Sequence, residues 1–401
     1  MQFRRLAGTL VIGAALSPSR GLFAQRGSPA LYLSATADQS QVSLARVEPR
    51  FARRQPYRFL RPGAVKALYV NAWVFGSARL WSLVRLVDST DVNALVIDVK
   101  DDTGCMLYRS SISTARASGA NACARVTDVR PRLDTLHAHG IYAIARIVVA
   151  KDPLLAEHKP SWAIRTRTGV LWRDRIGSAW VDAFNDSVWV YAGQLAREAV
   201  ELGFAEVQFD YVRFPDEPRS RLSTAVFSAR RPGESQRDAV RRHVALLADM
   251  VKPLGVPVTF DVFGLTASST NDLGIGQVWE DFADVADVVL PMVYPSHYGR
   301  GAFGFQSPNA HPYEVVRLAL ADALARSQAP SAALVRPYLQ AFTLGRRRPR
   351  YTPVEVRDQI RAAEDAGVES WVLWNPRSVY QKAALPPYPS GTGRVTASGG
   401  E

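Results

Sequence analysis

Three aspartates, Asp98, Asp210 and Asp261, each stand in a short apolar run on the parity opposite to their hydrophobic neighbours. In 206–215 the run reads Glu-Val-Gln-Phe-Asp-Tyr-Val-Arg-Phe-Pro. At the two-residue strand period Val207, Phe209 and Tyr211 share one face, and Gln208 and Asp210 share the other. An ionised carboxylate buried on such a strand is costly unless it is paired or hydrogen-bonded. One acid of this kind reads equally well as half of a structural ion pair, with Arg213 or an arginine elsewhere. Three in the same setting point to a functional cleft. The chain offers no serine elbow and no histidines at metal-ligand spacing, but many aromatics near these acids. Carboxylates with aromatics fit glycoside chemistry. There one carboxyl group with a raised pKa protonates the leaving oxygen. A second is nucleophile or activates water, and a separation of about 5 to 9 Å decides the stereochemical outcome.

The elements that would position these groups alternate. Strand patterns occur at 66–73, 94–101, 142–150, 206–214, 257–264, 288–295, 334–342 and 370–376, with amphipathic stretches at 80–89, 126–139, 188–202, 237–252, 313–327 and 352–366. Glycines at 140, 203, 255 and 367 follow helix-like segments, where a left-handed residue ends a helix. The alternation predicts an α/β fold, a (β/α)8 TIM barrel of eight strand–helix units over 63–384 with loop insertions. An open doubly wound sheet is the second choice, weakened because Trp73-Val-Phe-Gly-Ser77 after the first strand is no phosphate-binding loop.

In a barrel the reactive groups collect where strands end at the C-terminal face. Adjacent strands lie about 4.8 Å apart, so Asp210 and Asp261 are expected as the catalytic pair, with Asp98 as a third member or sugar ligand. Carboxyl groups locked in arginine pairs, or far apart, would rule out that two-acid scheme. Trp73, Lys100, Arg146, Gln208, Arg213, Tyr294, His297, Gln340, Trp374 and Asn375 are the expected substrate-binding residues. Tyr211 and Tyr298 are further aromatics near strand ends, although the parity of Tyr211 favours core packing. Asp98, Asp101 and Asp102 with His297 form the best metal set the chain offers. It is the weaker option with only 6 histidines, and no metal or cofactor is expected.

Outside the barrel, Met1–Arg5 is a basic start and 6–16 an apolar Ala/Gly-rich run, too short to span a bilayer, for which about 20 residues are needed. This predicts a secretory signal over 1–24, a disordered Arg/Ser/Ala/Pro-rich linker over 25–62, and a flexible tail over 385–401. Bacterial periplasmic or secreted localisation follows as an expectation, with no stable membrane insertion after cleavage. Net charge is +12, but the arginines are scattered apart from Arg346–Arg348. Nucleic-acid binding is therefore not expected, and an anionic polymer is a weak option for the partner, a polysaccharide or oligosaccharide. Oligomeric state is not indicated. Cys105 and Cys123, the only cysteines, can close one loop as a disulfide, for about 3 kcal/mol in the chain-entropy model.

Eight ordered phrases carry a resemblance. Lys66-Ala-Leu-Tyr-Val-Asn-Ala-Trp73, Leu95-Val-Ile-Asp-Val-Lys-Asp101, Ala145-Arg-Ile-Val-Val-Ala-Lys-Asp152, Val207-Gln-Phe-Asp-Tyr-Val-Arg-Phe-Pro215, Asp261-Val-Phe-Gly264, Pro291-Met-Val-Tyr-Pro295, Arg336-Pro-Tyr-Leu-Gln340 and Trp371-Val-Leu-Trp-Asn375 resemble the glycosyl-hydrolase domain family of bacterial envelope proteins. The resemblance covers roughly 63–380 and implies a TIM barrel, without a known substrate. More distantly, 203–215 is similar to the fourth strand of chitinase-type barrels. There Asp210 matches the last aspartate of their signature, and Val212 stands where they carry the acid glutamate. The substrate-assisted mechanism of those enzymes is therefore not implied.

Overall fold

The computed structural model describes residues 61–387, apart from Asp128 and Arg347. The signal over 1–24, nearly all of the linker over 25–62 and the tail from 388 lie outside the described residues. Eight parallel strands pair in chain order: β1 (Lys66–Val70), β2 (Ala94–Lys100), β3 (Tyr142–Val148), β4 (Glu206–Asp210), β5 (Val258–Phe263), β6 (Val288–Met292), β7 in two pieces (Leu334–Val335 and Tyr338–Gln340) and β8 (Trp371–Trp374). The sheet closes because β8 pairs with β1 from Lys66↔Trp371 to Leu68↔Leu373, and β7 bridges β8 and β6. This is the (β/α)8 TIM barrel that the alternation predicts.

The outer layer is α1 (Arg79–Asp88), α2 (Arg130–Ala138), α3 (Asp186–Leu202), α4 (Gln236–Val251), α5 (Trp279–Ala283), α6 (Pro312–Ala325) and α7 (Pro353–Asp365), interspersed with shorter turns. Local chemistry sets their ends. Ser235 and Asp238 form a capping box at the start of α4, and Thr352 and Glu355 form one at α7. Gly203 ends α3 at φ 116°. The eighth unit departs from expectation. Among the described residues β8 is followed by the 3-10 turn Lys382–Ala384 and not by an α-helix, and Pro376, Pro386 and Pro387 around this short stretch restrict helix formation.

Side-chain parity divides the core in two. Leu95, Ile97, Val207, Phe209, Val258 and Phe260 belong to the layer between strands and helices. Ala67, Ala94, Val96, Tyr142, Ile144, Val288, Leu290 and Val372 fill the barrel interior. Strands end earlier than the hydrophobic runs suggest, because Val212 and Phe214 stay buried as loop residues after pairing has stopped at Asp210. Cys105 and Cys123 form a disulfide, Cα–Cα 5.7 Å, in the segment after β2. The long connection from β3 to α3 folds over the C-terminal end. Its strand Arg165–Thr166 pairs antiparallel with Ala225–Val226 from the connection after β4.

Candidate active site

β4 is the strand whose inward face is polar throughout: Glu206, Gln208 and Asp210. Each finds a partner from another strand. At the bottom, Arg336 Nη1 and Nη2 donate to Glu206 Oε1 and Oε2 at 2.6 and 3.2 Å. One level up, Gln208 Nε2 donates to Asp261 Oδ2 at 3.0 Å and to the Tyr338 hydroxyl at 2.5 Å. At the top, Arg146 of β3 is a hub. Its Nη1 donates to Asp98 Oδ1 at 2.5 Å, its Nη2 to Asp210 Oδ2, and its Nε lies 3.6 Å from Asp261 Oδ2. The guanidinium carbon also stands 5.0 Å from the Trp374 ring centre, and Trp374 stacks on Tyr69 with centroids 3.8 Å apart.

One guanidinium thus faces three buried carboxyl groups, and three ionised acids there would leave uncompensated negative charge in a low-dielectric interior. Asp261 is the group biased most strongly toward its protonated form. Burial, and then the charge of Asp210, push its pKa well above the ordinary carboxylate value, against the pull of Arg146. Asp261 Oδ1 is buried without a hydrogen-bond partner among the described residues. Burial also raises Asp98 to about 6, despite Arg146 and the Tyr69 hydroxyl that donates to its Oδ2. For Arg146 burial acts downward, but Asp210 and Asp98 outweigh it and hold the guanidinium charged.

Strand geometry stops at Asp210. Tyr211 has φ 54°, a left-handed conformation that costs a bulky residue of order 1 kcal/mol or more. The turn aims the Tyr211 amide back at Asp210 Oδ1, 2.6 Å away, and brings the Tyr211 ring into the wall of a cleft of about 580 Å³ over the barrel mouth. Tyr211 packs against the core, as its parity favours, and also lines the cleft. The cleft is lined by seven of the expected residues, Asp210, Asp261, Arg146, Arg213, Tyr294, His297 and Trp374, and by Tyr298.

Six expected residues do not line it. Asp98 lies beneath, its oxygens taken by Arg146 and Tyr69. Gln208 is buried below, bonded to Asp261 and Tyr338. Lys100 donates to Asp152 at 2.6 Å, because a register shift after Asp98 turns it away from the interior. Trp73 is 64% exposed on the turn Ala72–Phe75, with Arg125 over its ring at 3.3 Å. Gln340 bonds the Ser296 amide and the Phe342 carbonyl. Asn375 bonds the Ala341 carbonyl and the Arg377 amide, holding loops together.

Other lining groups escaped the strand-end reasoning. Asp174, Arg175 and Trp180 come from the long β3–α3 connection, and Asp216 and Glu217 follow the β4 motif directly. The position of Asp216-Glu217 one step beyond Phe214-Pro215 was the available signal. Asp174 is spent on structure, accepting from Trp180 Nε1 at 2.9 Å and from the Ile176 and Ser178 amides. Gly264 closes one side, where an added Cβ would come within 2.5 Å of the Met292 carbonyl oxygen. Among the described residues no group of three or more His, Cys, Asp or Glu is arranged to hold a metal ion. Likewise no described helix is long and apolar enough to cross a membrane.

Residues 67–380 match the model of the family described as "Putative glycosyl hydrolase domain". A hypothetical protein from Ruminiclostridium thermocellum is 33% identical over 52% of this chain and 98% of its own, with a TM-score of 0.44. The PgaB (BpsB) glycoside hydrolase domain from Bordetella bronchiseptica is 13% identical over 79% of this chain and 95% of its own, TM-score 0.55. A chitobiase from Flavobacterium johnsoniae is 12% identical over 80% of this chain and 47% of its own, TM-score 0.51. At 12–13% identity the last two likenesses are of fold. No curated protein matches the sequence.

Proposed function

The chain belongs to the glycosyl hydrolase domain family, and from that premise we propose that it cleaves O-glycosidic bonds in a polysaccharide of the bacterial envelope or extracellular matrix, after export through its N-terminal segment. The observation that carries this reading is the placement of Asp210 and Asp261 together on the Arg146 guanidinium at the mouth of an aromatic-walled cleft.

The pair works as one unit. Arg146 faces both carboxyl groups, so the charge state of one bears on the other. Asp210 is then the reacting carboxylate, oriented by Arg146 and the Tyr211 amide, and Asp261, biased toward its protonated form, tunes it. The loop after β4 adds two further carboxyl groups to the cleft, Asp216, which is exposed, and Glu217 beside it. Aromatic faces at Trp180, Tyr294 and Trp374 suit the apolar faces of sugar rings. A non-catalytic carbohydrate-binding barrel is the second reading. It is favoured by Arg146, which occupies an oxygen of both Asp98 and Asp210.

The test is release of reducing ends from a panel of envelope and extracellular polysaccharides by the wild type and by Asp210→Asn. Turnover by the wild type, lost in the variant while glycan binding persists, supports hydrolysis. Binding without turnover in both selects the second reading.

A further inference from the structure

Arg213 differs from the other buried arginines of the barrel. Arg146 and Arg336 are each tied to carboxylates. Arg213 is 8% exposed, yet its guanidinium makes one hydrogen bond among the described residues, from Nη1 to the Phe214 carbonyl at 2.9 Å. It forms no ion pair among them. A guanidinium has five N–H donors in a planar fork, so most of its capacity is unspent. It is held over three aromatic faces, 4.6 Å from the Phe263 centroid, 4.7 Å from Tyr211 and 5.3 Å from Trp180, and all four residues line the cleft.

Asp210 and Asp216 act on Arg213 by charge, but neither forms an ion pair with it among the described residues. Asp210 serves Arg146 and the Tyr211 amide, and Asp261 accepts from Gln208 and faces Arg146. Glu217 accepts from the Arg175 amide at 2.9 Å and faces Arg221 at 3.4 Å. Asp216 is exposed to solvent, and the neighbouring cation Lys151 already pairs with Asp102 at 2.7 Å. A charged group taken this far out of water requires a counter-charge, and the open side of Arg213 is the side where substrate binds. Its fork matches a carboxylate bidentately.

We infer that Arg213 seats a carboxylate carried by the bound glycan, so that the substrate contains a uronic acid or another carboxylated sugar at the subsite walled by Trp180, Tyr211 and Phe263. This rests on the proposal that the cleft binds a polysaccharide and adds the class of that polysaccharide. The cleft as a whole is not basic, because its acids and bases nearly balance. The selectivity therefore lies in one sugar unit.

The experiment uses the full chain carrying Asp210→Asn, in which turnover is expected to be lost and binding kept. Calorimetry compares oligogalacturonate, alginate and hyaluronan oligosaccharides with their methyl-esterified forms and with neutral cello-oligosaccharides. At least one acidic oligomer is expected to bind about 10- to 100-fold more tightly than its ester, less so as salt rises. Adding Arg213→Gln should reduce that ratio to about one and leave neutral binding within about twofold, with Arg213→Lys intermediate. Acidic and esterified forms bound equally by the Asp210→Asn chain would overturn the assignment, whatever the stability of the Arg213 variants. Acid-selective binding without release of reducing ends by the wild type would sink the hydrolase and keep the carboxylate seat. Hydrolysis of neutral glycans with no acid preference would do the reverse.

Discussion

Two arginines lie inside the same barrel and do opposite things. At the floor, Arg336 meets Glu206 one to one through two hydrogen bonds, both side chains about 1% exposed or less. At the mouth, Arg146 meets Asp98, Asp210 and Asp261 with a single positive charge. The floor pair is balanced and closed; removing either member exposes a full charge to an apolar surround. The mouth cluster carries more acid than base, and burial with the charge of Asp210 biases Asp261 toward its protonated form next to a cleft. Burial of an ion pair says little about function. An unequal ratio of charges next to open space says much more.

That contrast can be broken first at the mouth. Asp210→Asn should lower turnover by as much as about 10⁴-fold with little change in melting temperature, since Asn retains an acceptor for the Tyr211 amide. A comparable loss of activity at unchanged stability in Glu206→Gln would erase the distinction between the layers. At the floor, Arg336→Met should cost about 3 to 5 kcal/mol in urea denaturation, with the double variant Glu206→Met/Arg336→Met recovering most of it. If the single variant is as stable as the wild type, the floor pair is not the closed unit described.

Asp261→Asn sharpens the role of that protonated form. Because burial and Asp210 raise the pKa of Asp261, the protonated form exists below that value, and wild-type turnover should fall as pH rises through it. The variant is expected to be about 100-fold slower, and its kcat–pH profile should lack that alkaline limb; an unchanged limb assigns it elsewhere. The smallest effect lies beneath the site. Asp98 is raised from 3.8 to about 6 in the folded chain. Its contribution to stability is therefore complete below the unfolded value and is lost as pH rises through the folded one. Relative to Asp98→Asn, the wild type should lose about 2 kcal/mol between about pH 4 and pH 6 in chemical denaturation. A parallel pH dependence in both proteins would show that Asp98 titrates normally.

The barrel was legible because period-two strands, helix-ending glycines and covering helices all point the same way. Asp98, Asp210 and Asp261 were legible because a carboxylate opposite an apolar face is costly without a reason. What sequence could not supply was depth. Asp98, Gln208 and Asp210 share the inward parity, but only Asp210 reaches the cleft, because the height of a residue within a barrel follows from stagger between strands. The Glu206–Arg336 pair joins positions 130 residues apart, and scattered arginines carry no local mark of their partners. Trp73 and Asn375 stood at the right strand ends, but each lies just past the last paired residue, where loop geometry replaces alternation. Trp180 and Asp216 came from connections with no periodicity to read.

The reversed turn at Tyr211 has a consequence for how this cleft can change. Asp210 has one oxygen fixed by a main-chain amide and the other by Arg146, so its direction of approach to a bound sugar is set largely by backbone. Substitutions along the walls can alter which sugar unit is accepted without re-aiming the carboxylate. Specificity and angle of attack are thus separable traits: the first is written in side chains that can drift, the second in a fold that cannot drift without losing the barrel mouth.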